Sequence, residues 1–140
     1  MYAEIFSKKG KNLIIINESF YDIDVKPFNK TSNQKEKKKF FKTDLRFLKE
    51  KYKIDELLLV TVDYGLFAHY TYGIETSKSG MTTILPQLIN LKDNSIMYKN
   101  KSKSKVPVSG IWDTPPLFQE LTDGIVSSTE NAIAIEKMKY

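Results

Sequence analysis

A chain of 140 residues with 22 basic residues, 17 acidic residues, one histidine and no cysteine carries a net charge of +5 and has the size of one ordinary domain. Without cysteine there is no disulfide framework, zinc ribbon, thiolate nucleophile or iron–sulfur centre, and one histidine cannot build a His-rich metal site. No stretch approaches the ~18 apolar residues of a membrane span, and Met1 to Gly10 holds Lys8 and Lys9 around no apolar centre, so it does not read as a secretory signal.

Asn12 to Asn17 (NLIIIN) is an apolar run of strand length whose isoleucines suit a pleated surface. Phe20 to Phe28 alternates, with Phe20, Asp22 and Asp24 on one parity and Tyr21, Ile23 and Val25 on the other. It predicts a half-buried strand ended by Pro27, which cannot donate to a ladder. Thr31 with Gln34, or Asn33 with Glu36, forms a capping box, and a helix is expected over about 34–53. Phe41, Leu45, Leu48 and Tyr52 recur along that stretch at helical spacing, widened by Phe40 and Phe47, while its lysines fall largely elsewhere on the wheel.

Asp55 to Asp63 (DELLLVTVD) is apolar on both parities, which predicts a central strand over about 56–63. Tyr64 and Gly65 are expected to interrupt it before an aromatic strand or loop over 66–74. Ser77 to Gly80 reads as a turn. Met81 to Leu91 and Ile96 to Lys99 read as a hairpin over about 81–99, with Lys92 to Ser95 as its tight turn and Pro86 at an edge or bulge. Lys99 to Lys105 (KNKSKSK) reads as an exposed strand end or loop, and Val106 to Trp112 as a short returning strand. Asp113 or Thr114 caps a last helix over about 115–137, with Pro115 at its first position. Phe118, Leu121, Ile125, Ala132 and Ile135 give it an apolar stripe. Gly124 and Ser127 to Thr129 weaken its middle and point to close packing on a sheet or a partner. The expected core is Phe41, Leu45, Leu48, Leu58, Val60, Leu121 and Ile125.

Charge is uneven. Residues 30–53 carry a local +7 and 99–112 a local +4, yet Arg46 is the only arginine. Base readout and bidentate phosphate contacts favour the guanidinium fork, so a surface built from lysine reads as solubility or loose attraction to anions. Lys35, Lys37, Lys38, Lys39 and Lys42, with Lys99, Lys101, Lys103 and Lys105, form the candidate basic surface. His69 lacks an orienting carboxylate at fixed spacing, and Asp22, Asp24 and Asp63 do not have calcium-loop spacing. The six glycines make neither a dinucleotide fingerprint nor a phosphate loop, and there is no nucleophile elbow. No enzyme motif and no cofactor are expected. Phe67, His69, Tyr70 and Tyr72 form the candidate partner surface, because tyrosine offers a large apolar area and a polar tip with few rotors to freeze.

The order of elements carries one resemblance. Tyr21 to Asn29 (YDIDVKPFN) looks like the first strand, and Tyr52 to Gly65 (YKIDELLLVTVDYG) the central strand, of TolB amino-terminal-like and CsgG-like envelope domains. Pro86 to Tyr98 (PQLINLKDNSIMY) resembles the hairpin of many small bacterial lipoproteins, and Trp112 to Pro116 (WDTPP) the entrance to their last helix. Asn90 stands where those proteins carry an acid, and the turn 92–95 lacks glycine. The resemblance implies no catalytic residues. It implies a place in the bacterial envelope or periplasm, a partner that is another envelope protein, and membrane association through a lipid anchor. That anchor needs a cysteine in a preceding segment; without a signal there, the expected place is the cytoplasm.

The sequence therefore predicts one α+β domain: a mixed or mostly antiparallel sheet of about five strands with two amphipathic helices on one face. The expected function is a non-enzymatic envelope domain. The alternative is a basic cytoplasmic nucleic-acid-binding module, with a small enzyme built on Asp22/Asp24 or His69 third.

Overall fold

The computed structural model describes residues 2–17, 26–28, 38–109 and 118–139. Seven elements follow in chain order: α1 (Tyr2–Lys8), α2 (Phe47–Tyr52), β1 (Glu56–Thr71), β2 (Ile74–Asn90), β3 (Ser95–Lys99), β4 (Ser102–Pro107) and α3 (Gln119–Lys137). The fold is α+β, and among the described residues it has an open antiparallel sheet of four strands with three helices. Its order is β1-β2-β3, and β4 pairs with β2 as well. By contacts the described chain forms two compact units, one from 2–58 and 87–98, the other from 59–86 and 99–139.

In the first unit, the core is Leu45, Leu48, Leu57, Ile89 and Leu91, with Leu48 wholly buried. The helix expected over 34–53 is much shorter in the structure. Among its described residues only Phe47–Tyr52 is helical, and 38–46 is irregular, with isolated bridges at Phe40 and Thr43. Backbone pairing explains the difference. Phe28 N–H donates to Lys42 O (2.8 Å) and Asp44 N–H to Lys26 O (3.0 Å) on one side. On the other, Ile96 N–H donates to Lys39 O (2.7 Å) and Phe41 N–H to Asn94 O (3.0 Å). Tertiary partners thus outweigh a helical pattern that isolated propensity favours only weakly.

The anchor of this pairing is the turn between β2 and β3. Asn94, wholly buried and at φ 63°, accepts Leu45 N–H (3.1 Å) on Oδ1. Its Nδ2 donates to Phe41 O (3.0 Å) and Thr43 O (2.8 Å). The apolar run 12–17 is irregular rather than a strand, with Leu13, Ile14 and Ile15 exposed. An apolar run becomes a strand only by pairing with another, and 12–17 makes no such pairing among the described residues.

In the second unit, β1 and β2 form a long ribbon that neither Gly65 nor the 77–80 segment interrupts. The reversal comes instead at Tyr72 and Gly73, both at positive φ (51° and 81°), the two-residue loop whose twist matches a hairpin. β4 takes up part of the lysine-rich stretch expected to be an exposed strand end or loop, pairing antiparallel from Ser79↔Pro107 to Ile84↔Ser102. The last helix ends where expected; 115–117, like the predicted strand residues 20–25 and the capping segment 113–114, lie outside the described residues.

α3 packs on β4 and β2 through its smallest side chains. Gly124, Ser128, Ala132 and Glu136, one every fourth residue, are its buried face. Leu121 and Ile125, on the expected stripe, are only half-buried, because the buried face lies about a quarter-turn away from them. The reason is distance: a Cβ on Gly80 would lie 2.3 Å from the Gly124 carbonyl carbon, so helix and strand meet backbone to backbone. Thr82 Oγ1, one more step along β2, shares hydrogen bonds of 2.8 Å with Ser128 and Thr129. Leu58, expected in the core, is half-buried, and Leu57 takes that place.

Candidate binding surface

The distal part of the β1–β2 ribbon carries large apolar side chains that the rest of its unit does not cover. Tyr64 is 70% exposed, Tyr70 60%, Ile74 70% and Tyr72 fully exposed, with Val62, Leu66 and Phe67 also open. The tight turn holds the two strands in register, so polar cross-strand contacts stiffen the ribbon. His69 Nδ1 lies 3.0 Å from Thr76 Oγ1, which donates to His69 O (3.1 Å), and Tyr70 Oη donates to Glu75 (3.4 Å). His69 thus meets a hydroxyl there, not the carboxylate that a catalytic base needs for orientation.

Two predicted surfaces meet on this unit. The Lys105 ammonium stands 3.3 Å from the centroid of the Phe67 ring, so these two residues meet on one face of the sheet. Lys99, Lys101 and Lys103 are exposed on the same unit. Lys38, Lys39 and Lys42 belong to the other unit, where Lys38 pairs with Asp93 at 3.5 Å. Lys35 and Lys37 lie outside the described residues, as do Asp22 and Asp24; Asp63 is exposed on β1. The only guanidinium is engaged: Arg46 donates to Asp44 through Nε (2.9 Å) and Nη2 (2.7 Å) and lies over Phe28. That fork holds the Asp44 carboxyl below its usual value.

One polar cluster escaped the sequence reading. Glu136, wholly buried on α3, accepts a hydrogen bond from Ser102 Oγ, and Asn100 Nδ2 approaches the same oxygen at 3.5 Å. Lys139 Nζ donates to Ser102 Oγ (2.8 Å) and Lys101 O (3.0 Å) and lies 3.5 Å from the carboxylate. Serine, lysine and carboxylate together are the parts of an activated nucleophile. Here Ser102 is 1% exposed, out of reach of an acyl group, and its hydroxyl is already donated to Glu136. The cluster anchors the end of α3 to the start of β4. The four-residue spacing from Gly124 to Glu136 is the sequence feature that could have located it.

Among the described residues, no three acidic, histidine or cysteine side chains gather as a metal site, and no helix is long and apolar enough to cross a membrane. No family model, no curated protein and no solved structure significantly matches this chain.

Proposed function

We propose that this chain is a non-enzymatic binding module of the bacterial cell envelope that holds another envelope protein against its β1–β2 ribbon. The observation that carries the binding role is the set of exposed apolar side chains from Val62 to Ile74 on one stiff hairpin. Isolated apolar residues are ordinary on a surface, but Val62, Tyr64, Leu66 and Tyr70 share one parity of β1 and so one face, and exposed apolar side chains grouped in this way support a binding role. Tyr70 and Tyr72 supply the rigid, amphipathic area that binding surfaces favour. The envelope setting, with a lipid anchor carried upstream, rests on the resemblance of 21–29, 52–65, 86–98 and 112–116 to envelope domains.

A photo-crosslinking residue in place of Tyr72 tests the reading in cells that express the complete natural gene. The expected adduct is an envelope protein, recovered from the envelope fraction and lost when Tyr70→Ser is added. Tyr70→Ser should leave the folding stability within about 0.5 kcal/mol of wild type, because its side chain is exposed. Phe67→Ser is a poorer probe, since it also removes the ring under Lys105. An adduct confined to cytosolic proteins, or one indifferent to Tyr70→Ser, would falsify the proposal.

A further inference from the structure

The two edges of the sheet in the second unit are built differently. β4, which pairs with β2 along one side, carries Lys103, Lys105 and Pro107, the charges and imino acid that keep an edge from recruiting another strand. β1 forms the other edge, and among the described residues it pairs with β2 alone. It is 16 residues long, against about 5–6 for an ordinary strand. From Leu59 to Thr71 it has one acid, Asp63, and no lysine, arginine or proline. Such an edge presents a row of backbone donors and acceptors with nothing to turn a second strand away.

Gly65 sits in the middle of that stretch. A Cβ there would meet nothing within 4 Å, and its φ is not left-handed. Neither a turn nor a neighbour among the described residues requires glycine at this position. A glycine within a strand suits the close approach of another backbone.

We propose that a second copy of this chain pairs antiparallel with β1 along residues 60–70, on a two-fold axis at Gly65. Charge suits a second copy as occupant. With that axis each Asp63 faces Phe67 of the other copy, Tyr64 faces Leu66, and Thr61 faces His69, so no like charges stand opposite one another. A two-fold pairing uses the same stretch twice and closes on itself, which leaves a dimer and not a fibre. The sheet then continues from one copy to the next, and the exposed side chains of two ribbons lie side by side.

The absence of native cysteine makes the geometry directly testable. Residues facing each other on the axis have Cα atoms about 4.5–5.5 Å apart, inside the ~4.4–6.8 Å that a disulfide spans. Gly65→Cys should therefore crosslink to a dimer under mild oxidation. His69→Cys should not, because its two copies would lie about 27 Å apart along the strands. Sedimentation of the unmodified chain over a concentration series should show a monomer–dimer equilibrium. Tyr64→Lys combined with Leu66→Lys should weaken it by about tenfold or more, by setting ammonium groups face to face. Tyr64→Glu combined with Leu66→Lys should restore it. Circular dichroism melts confirm that each variant is folded. A monomer at every concentration, equal crosslinking at positions 65 and 69, or a dimer indifferent to the paired lysines would each overturn the proposal.

Discussion

Asn94 joins three backbone groups of the segment 41–45 to the turn of a hairpin some fifty residues away, and no other side chain type combines its two donors, its acceptor and its tolerance of positive φ. Asn94→Ala removes all three bonds from a buried site and should destabilise the chain by about 2–4 kcal/mol. Asn94→Gly separates bonding from backbone strain, since glycine accepts the left-handed φ freely. If the side-chain bonds dominate, urea titration will find Asn94→Gly nearly as unstable as Asn94→Ala; a near-wild-type midpoint would locate the effect in the backbone. The adjacent Asp93 gives the turn a pH dependence. Hydrogen bonds from the Ser95 hydroxyl and N–H, with Lys38 nearby, hold its carboxyl below the usual value against the opposing pull of partial burial. The folded state thus favours the ionised form. Its contribution is complete above the unfolded carboxylate pKa of about 3.9 and is lost as pH falls through the lower folded value. Asp93→Asn should cost about 1 kcal/mol at neutral pH, the group being a third exposed. Melting curves of wild type and variant should converge on acidification; a constant gap would exclude the titration.

At the scale of elements, the crossing of α3 over β2 is decided by two glycines of unequal importance. A Cβ on Gly80 meets the Gly124 backbone at 2.3 Å, and backbone cannot step aside. A Cβ on Gly124 meets instead the Val108 Cγ2 at 2.7 Å, a side-chain methyl that can rotate. Gly80→Ala should therefore cost about 3 kcal/mol or more through overpacking. Gly124→Ala should stay within about 1 kcal/mol of wild type, because helix propensity offsets the local crowding. Thermal melts of the two variants check this, and equal losses would mean that the crossing is looser than the distances say. The small residues of α3 announced close packing in the sequence, and the structure shows the sheet as its partner. The paired strand and turn around 81–99 were also legible, because their residues interact with near neighbours. Residues 38–46 were not. Their helical periodicity is real, but their partners are Lys26 to Phe28 and the 94–96 turn, and nothing local encodes pairing at that range.

For the whole molecule, the aromatic composition of 66–72 was legible, whereas its exposure was not. Alternation assigns side chains to two faces of a strand, but which faces are covered depends on where α3 and β4 lie. The distribution of charge raises the same question, and here the structure narrows the answer. The lysines of 38–42 and of 99–105 belong to different units, and the single arginine already holds Asp44 in a two-point contact. On the second unit the lysine-rich stretch offers Lys99, Lys101, Lys103 and Lys105, all exposed, each a point charge that attracts phosphate without reading a base. Duplex DNA bound through these four contacts should release about 0.9 counterion per contact, which corresponds to a loss of roughly a hundredfold in affinity from ~50 to ~200 mM salt. Fluorescence anisotropy with duplexes of unrelated sequence should therefore find weak binding at low salt, the same for every sequence, and none at physiological salt. Lys103→Ala should reduce the salt slope by about one without changing the preference among duplexes. Binding that persists at physiological salt and discriminates between duplexes would require a readout that these four ammonium groups cannot provide, and would establish the nucleic-acid module in place of the protein-binding one.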